Sequence, residues 1–307
     1  MQISKGGIAF FDSGIGGLTV LAACQKMQGD EVFYYYGDNQ HAPYGNLPPK
    51  KIKRYVFRAF RLFEKLQVKA VVLACNTATA VCVEELRKRF SFPIIGAEPA
   101  VYTAASKGGK TLVLATRATC ESDRFRFLCQ RAEKMFPDSE ICVRSCDGLA
   151  GAIERNLTRG DFDFTSYLPN EKADAVVLGC THYIYIVEQI AQFYGCPIFD
   201  GNEGICRRLF TIFSEKKMSK TEKMPRATIG RDGRPLDHKI DHKMGRLTTG
   251  DKKRRKCHIL MNKCLRFLPQ KRVEFAKCAG VFFLGKSREN NKNAYEQMFA
   301  CIKVDDK

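Results

Sequence analysis

Short apolar runs alternate along the chain with longer amphipathic stretches. The first runs are IAFF, EVFYYY, AVVLA and PIIG, and helices are predicted between them, one of them over residues 49–66. A second series, TLVLAT, EICVR, AVVLG and PIFD, alternates with helices predicted near 122–136 and 149–157. Such alternation is typical of βαβ units and of a largely parallel sheet. The pattern therefore predicts an α/β fold with two parallel-sheet halves.

The two halves resemble each other locally. VVLACNT at 71–77 and VVLGCTH at 176–182 each place a cysteine just beyond a buried strand, and each is followed by a predicted helix. This similarity indicates an internal duplication, and hence two pseudosymmetric domains. Ligands of open parallel sheets bind outside the carboxyl ends of the strands. We therefore expect Cys75 and Cys180 to lie at the functional edges of their sheets, with the active site at the interface between the domains.

The last third of the chain is harder to interpret. Segment 214–243 is polar and rich in Lys, Arg, Asp and Gly, which indicates a mobile loop. Residues 247–251 and the segment ending near Leu268 are expected to add a strand and a helix. Beyond Pro269 only the apolar patch VFFLG stands out. Three interpretations stay open there: a disordered tail, which we favour, a contact with nucleic acid or a partner, and a segment that is foreign to the rest of the chain. The predicted units are 1–97 with about 205–268 for the first domain, 98–204 for the second, and 269–307 for a basic C-terminal tail.

Composition narrows the class of protein. The 307 residues are 45% hydrophobic, enough for two globular cores, and no apolar stretch reaches about 18 residues. We expect a cytoplasmic protein without a membrane contact. The net charge of +18 is unevenly distributed along the chain. The number of Lys and Arg residues minus the number of Asp and Glu residues is 26 − 22 = +4 for residues 1–212 and 25 − 11 = +14 for residues 213–307. The basic run at 252–256 could contact nucleic acid, but a solvated surface is the favoured interpretation.

The 14 cysteines lie mostly inside apolar segments without a regular framework spacing. We therefore expect reduced thiols rather than a disulfide scaffold. The sequence has no CxxC pair and no Cys/His cluster with zinc spacing, so no metal is implied.

Two polar segments are candidates for ligand binding. In FFDSGIGGLTV a strand ends at Asp12 and a glycine-rich turn opens a helix, where exposed N–H groups favour anions. The glycines do not match the dinucleotide fingerprint, so the carboxylate of a small ligand fits at least as well. A tight structural turn would explain the glycines, but not Asp12 and Ser13 at a strand's carboxyl end. The second segment, YGDNQHAPYG at 36–45, is either a binding loop or a packed turn.

Cys75 and Cys180 are the candidates for chemistry. A lone buried cysteine is usually a packing residue, but two in equivalent places, each followed by polar residues, favour function. A helix start lowers the pKa of a thiol, and His182 adds a titratable neighbour. Two thiols on opposite sides of one ligand predict racemisation, in which one removes a proton and the other returns it to the opposite face. A hydrolase using Cys, His and an acid is the alternative, although it gives the second cysteine no role.

At these residues the chain resembles the glutamate racemase family. FDSGIGGLTV, YYGDNQHAPYG, ACNTATA and GCTHY match that family's blocks in order, and RLTTGDKKRRK is similar to its final strand and helix. Aspartate racemases and related decarboxylases share the fold, but the histidine in GCTH is more typical of the glutamate enzymes. The resemblance implies glutamate as substrate, no pyridoxal phosphate or other cofactor, no metal, and D-glutamate supplied for bacterial peptidoglycan. A homodimer is left open.

The resemblance also implies roles for individual residues. Cys75 would exchange the proton on the D-glutamate face, assisted by Asp12, and Cys180 the proton on the L-glutamate face, assisted by His182. Glu154 aligns with a glutamate that supports the histidine, although a helical surface residue is an equally good account. The residues implied in substrate binding are Asp12, Ser13, Tyr44, Gly45, Asn76, Thr77, Thr119, Thr181 and His182.

Overall fold

The computed structural model describes residues 6–27, 32–157, 162–221, 257–261 and 281–284. Two parallel sheets flanked by helices make up this part of the chain, which confirms the predicted α/β class. The first sheet has six strands in the order β10-β9-β2-β1-β3-β4, and the second has four in the order β6-β5-β7-β8.

The elements follow the apolar runs closely. The strands are β1 (Ile8–Asp12), β2 (Phe33–Gly37), β3 (Ala70–Leu73), β4 (Ile94–Gly96), β5 (Gly109–Ala115), β6 (Ser139–Ser145), β7 (Ala175–Gly179), β8 (Ile198–Phe199), β9 (Cys257–Met261) and β10 (Val281–Leu284). The α-helices are α1 (Gly17–Met27), α2 (Pro49–Lys65), α3 (Asn76–Arg89), α4 (Val101–Ala105), α5 (Arg117–Cys120), α6 (Asp123–Met135), α7 (Leu149–Asn156), α8 (Val187–Tyr194) and α9 (Asn202–Thr221).

Burial explains why these segments fold as they do. Every residue of β1, β2, β3 and β7 is buried, as expected for strands that are covered by helices on both faces of a parallel sheet. Helix α2 begins with Pro49 at its first position, where a missing N–H removes no helical hydrogen bond. Its apolar face, which includes Phe60 and Phe63, packs against the first sheet. These layers fix the strand ends, and the side chains that follow the strands therefore have defined positions.

Three expectations for the last third of the chain need correction. Helix α9 continues through residues 214–221, which were predicted to be a loop, because this stretch has no Gly or Pro and is rich in helix formers. Strand β9 lies where a helix was predicted, because its apolar run pairs with the open edge of β2. Strand β10 lies within the tail that was expected to be disordered, and it pairs with β9. The predicted strand at 247–251 and the rest of the loop and tail lie outside the described residues.

The expectation of reduced thiols is wrong at one pair of cysteines. Cys24 on α1 and Cys206 on α9 form a disulfide, with their Cα atoms 5.1 Å apart. Both residues are buried where the two helices pack together. The sequence could not show this pairing, because the cysteines are 182 residues apart.

Within the described residues, no helix is both long enough and apolar enough to cross a membrane.

Candidate active site

Cys75 lies directly after β3 and is the N-cap residue of α3. Its Sγ accepts a hydrogen bond from the Ala78 N–H at 3.4 Å, and its thiol donates to Ser13 Oγ at 3.6 Å. Burial, with a smaller contribution from the carboxylate of Asp12, raises the pKa of Cys75 to about 12. We expected the helix start to lower this pKa, but one N–H donor does not offset the loss of water around the thiol.

Cys180 lies directly after β7, on the second sheet. The segment that follows it is a short 3₁₀ helix (Thr181–Ile186), and the α-helix expected there begins only at Val187. No backbone N–H caps the Cys180 side chain at this 3₁₀ helix. Instead its Sγ lies 3.7 Å from Nδ1 of His182. The two cysteines are therefore placed alike by the sheets but have different polar partners.

His182 connects Cys180 to Glu154. Its Nε2 lies 2.7 Å from Oε1 of Glu154, which is on α7. Burial alone would lower the pKa of His182, but its hydrogen bonds to Cys180 and Glu154 outweigh burial and raise that pKa well above the ordinary value. An imidazolium has two N–H donors, so it can donate to Cys180 and Glu154 at the same time.

Asp12 lies at the end of β1 and contacts both domains. Its side chain is fully buried, with Oδ1 accepting from the Gly14 N–H at 2.9 Å and Oδ2 accepting from the Thr181 hydroxyl at 3.1 Å. Burial raises the pKa of Asp12, and the nearby His182, the Gly14 N–H and the Thr181 hydroxyl lower it only in part. Asp12 is therefore hydrogen-bonded to the residue that follows Cys180, and it also lies near enough to Cys75 for its charge to raise the pKa of that thiol.

The glycine turn after Asp12 packs closely against the second domain. A Cβ added at Gly14 would lie 2.0 Å from Oε1 of Glu154, and one added at Gly16 would lie 2.3 Å from Oγ1 of Thr181. Both positions therefore need glycine for close approach between the domains. The sequence analysis explained the glycines by exposed N–H groups that bind an anion. That anion site stays a prediction, whereas the close packing is observed.

Tyr44 and Gly45 form part of a 3₁₀ turn beside the site. The Tyr44 hydroxyl donates to Asp38 Oδ2 at 2.6 Å, and Asp38 also accepts from His41 Nδ1 at 2.9 Å. A Cβ at Gly45 would lie 2.9 Å from two side-chain atoms of Thr116, so here too the domains approach closely. Segment 36–45 is therefore held by its own hydrogen bonds and packs against the second domain at Gly45.

Threonine hydroxyls from both domains meet at the same interface. Oγ1 of Thr116 lies 2.9 Å from that of Thr77 and 3.0 Å from that of Thr119. Asn76 lies nearby on α3, and its buried Oδ1 has no partner among the described residues. Asn76 and Thr181 both line a narrow cavity beside Cys180. A buried acceptor without a partner needs an explanation, and a ligand donor reaching this cavity would supply one.

Contacts between the two domains are therefore made by Asp12 with Thr181 and by Thr77 with Thr119, and the other predicted residues lie beside these contacts. The sequence analysis named segment 36–45 without singling out Asp38, and it missed Thr116. Each of the two directly follows a strand, β2 and β5 respectively, so the strand-end rule could have found them. No group of three or more His, Cys, Asp or Glu side chains in the described part of the chain is arranged to hold a metal ion.

Fold and site together define an α/β protein with two thiols at one interdomain cleft. The family model described as Asp/Glu/Hydantoin racemase matches residues 19–209, which is more than half of the chain. The chain therefore belongs to this racemase family.

The similar proteins narrow the family further. A curated glutamate racemase from Clostridium botulinum (strain Langeland) is 37% identical over 234 residues, covering 72% of this chain and 89% of that relative. A crystal structure of Escherichia coli glutamate racemase with L-glutamate and the activator UDP-MurNAc-ala is 29% identical, with a TM-score of 0.59 over 67% of this chain and 81% of that one. The structure of glutamate racemase isoform RacE1 from Bacillus anthracis has the same fold, with a TM-score of 0.64 at 24% identity over 84% and 89% of the two chains. Within the family, the chain belongs with the glutamate racemases.

Proposed function

We propose that this protein interconverts L- and D-glutamate by proton transfer between Cys75, Cys180 and the α-carbon, without a cofactor. One observation carries the proposal. Each thiol follows a strand of its own sheet at a shared interface, and each has a different titratable neighbour, Asp12 for Cys75 and His182 for Cys180. Two bases on opposite faces of one carbon are what inversion by proton transfer requires.

The two thiols have different polar partners, which supports different roles for them. With a pKa of about 12, Cys75 carries its proton at neutral pH. An imidazolium at His182 can donate Nδ1–H to Cys180 and Nε2–H to Glu154, so His182 can hold a proton beside the Cys180 sulfur. In the direction from L-glutamate, Cys180 removes the α-proton while Cys75 supplies one on the other face. The reverse direction starts from the opposite protonation of the pair.

The polar residues around the thiols would position the substrate. Asn76 offers an unpaired buried oxygen, and Thr77 and Thr119 offer hydroxyls that now bond to each other and to Thr116. Such groups suit the ammonium and carboxylates of an amino acid, and fixed donors stabilise the charge that develops when the α-proton leaves. The proposed binding set is Asp12, Ser13, Tyr44, Gly45, Asn76, Thr77, Thr119, Thr181 and His182.

The proposal extends to the cellular role and the organisation of the chain. D-glutamate made in the cytoplasm would supply peptidoglycan synthesis. Residues 1–97 with 205–268 would form the first domain, and 98–204 the second. A homodimer is an expectation that sedimentation of the purified protein tests. The basic run at 252–256, which prompted the nucleic-acid alternative, lies outside the described residues, and no observation favours that alternative.

The proposal is tested by following circular dichroism with each enantiomer of glutamate and of aspartate. The protein is first dialysed against a metal chelator, and no cofactor is added. Inversion of glutamate at a much higher kcat/KM than aspartate supports the proposal. Faster inversion of aspartate would assign the chain to aspartate racemisation, and inversion only after adding pyridoxal phosphate would contradict the thiol mechanism.

A further inference from the structure

Tyr185 forms a contact between the domains that the reaction as described does not use. It lies in the 3₁₀ helix Thr181–Ile186, three residues after His182, and its hydroxyl donates to the carbonyl of Ile15 at 2.9 Å. Ile15 belongs to the glycine turn of the first domain. The partly buried Tyr185 ring packs against core clusters of both domains. The ring and the hydroxyl of Tyr185 therefore both connect the segment that follows Cys180 to the turn that follows Asp12.

The neighbouring hydrogen bonds show how the turn is held. Within the first domain, the Tyr35 hydroxyl donates to the Gly14 carbonyl at 2.8 Å. From the second domain, the Thr181 hydroxyl reaches Asp12, and Tyr185 reaches Ile15. The Ile15 carbonyl also accepts the Leu18 N–H at 3.1 Å, at the start of α1. The second domain therefore binds the turn at two points, one on each side of Gly14.

We propose that Tyr185 is a positioning residue that sets the distance between Cys75 and Cys180. Ser13, which contacts Cys75, is in the turn that Tyr185 holds, and Cys180 and His182 are in the segment from which Tyr185 extends. Proton transfer needs both thiols within reach of one carbon atom, and small misplacements lower the rate strongly. This inference rests on the proposed two-thiol racemisation.

The test compares Tyr185→Phe with Tyr194→Phe. Each substitution removes one hydroxyl from a partly buried tyrosine that donates to a carbonyl, but Tyr194 bonds to Pro169 O at 2.8 Å within the second domain. For Tyr185→Phe we expect kcat to fall about tenfold in both directions. For Tyr194→Phe we expect kcat to remain at the parent value. The melting temperatures of both variants should fall by similar amounts, so a loss of kcat confined to Tyr185→Phe reports on positioning.

A second readout does not depend on the substrate. Cys75 and Cys180 are 5% and 8% exposed, so a looser interface should let iodoacetamide alkylate both thiols faster, by about tenfold in Tyr185→Phe but not in Tyr194→Phe. Mass spectrometry gives the rate at each cysteine. Equal kcat values and equal alkylation rates in the two variants would overturn the proposal. If the parent does not racemise glutamate, the proposed function fails, and the alkylation rates still decide whether Tyr185 positions the thiols.

Discussion

Replacing Gly14 by alanine should disconnect Glu154 from His182 without changing either residue. The new Cβ would lie 2.0 Å from Glu154 Oε1, whereas ordinary contact begins near 3.4 Å, so the carboxylate must move by about 1.4 Å, the difference between these distances. The bond from Oε1 to His182 Nε2, now 2.7 Å, cannot survive such a shift in most directions. The φ of Gly14 is not in the left-handed region, so the backbone itself accepts alanine.

The expected loss follows from the kind of hydrogen bond that is broken. A bond between charged partners contributes about 1.5–3 kcal/mol, which corresponds to a fall in kcat of about 10- to 150-fold. Racemisation of L-glutamate followed by circular dichroism measures this fall. Gly204→Ala on α9 is the control, because a Cβ there meets nothing within 4 Å, and it should leave kcat unchanged.

A double variant distinguishes this mechanism from a general disturbance of the turn. In a Glu154→Ala background the 2.0 Å clash is gone and only the contact with the Ala42 Cβ, at 3.3 Å, stays tight, so Gly14→Ala should lower kcat by less than about twofold more. If Gly14→Ala has its full effect with or without the Glu154 side chain, or if the single variant keeps the parent kcat, the reasoning is refuted. Circular dichroism melts must show that both variants are folded.

Two further predictions concern stability. Because Cys24 and Cys206 form a disulfide, dithiothreitol should lower the melting temperature of the parent, through a loss of about 2–5 kcal/mol, and leave Cys206→Ala unaffected; equal sensitivity would contradict the pairing. Burial also raises the pKa of Cys129 and of Cys146 to about 12, so between about pH 9 and 12 the folded state keeps protons that the unfolded state releases. The free energy of unfolding should therefore fall as pH rises through this window, and it should fall less in Cys129→Ala. Denaturation with reductant at pH 8 and at pH 10.5 measures this fall. An equal fall in the parent and in Cys129→Ala would contradict the reasoning.

The sequence predicted those features that depend on local pattern. Apolar runs marked eight strands, and the end of a strand marked Asp12, Cys75 and Cys180, because a parallel sheet brings its carboxyl ends to one edge. Strand β9 was missed because its position depends on pairing with β2, and the apolar run CHILM is also compatible with a helix.

Features that depend on tertiary contacts could not be predicted. Gly14 and Gly16 are explained by side chains of the second domain, which are distant in sequence. The raised pKa of Cys75 depends on how completely the thiol is buried, and the helix start suggested the opposite direction. The role proposed for the Tyr185 hydroxyl depends on its hydrogen bond to the carbonyl of Ile15, which is distant in sequence.

The account depends most on Cys75 and Cys180 acting on opposite faces of one substrate. The direct test is exchange of the α-proton in deuterium oxide, with L- and D-glutamate offered separately to Cys75→Ser and to Cys180→Ser. Neither variant should racemise. Cys75→Ser, which keeps Cys180, should exchange the proton of L-glutamate only, and Cys180→Ser that of D-glutamate only. Racemisation by either variant, or exchange of both enantiomers by one variant, would contradict a mechanism with one thiol on each face.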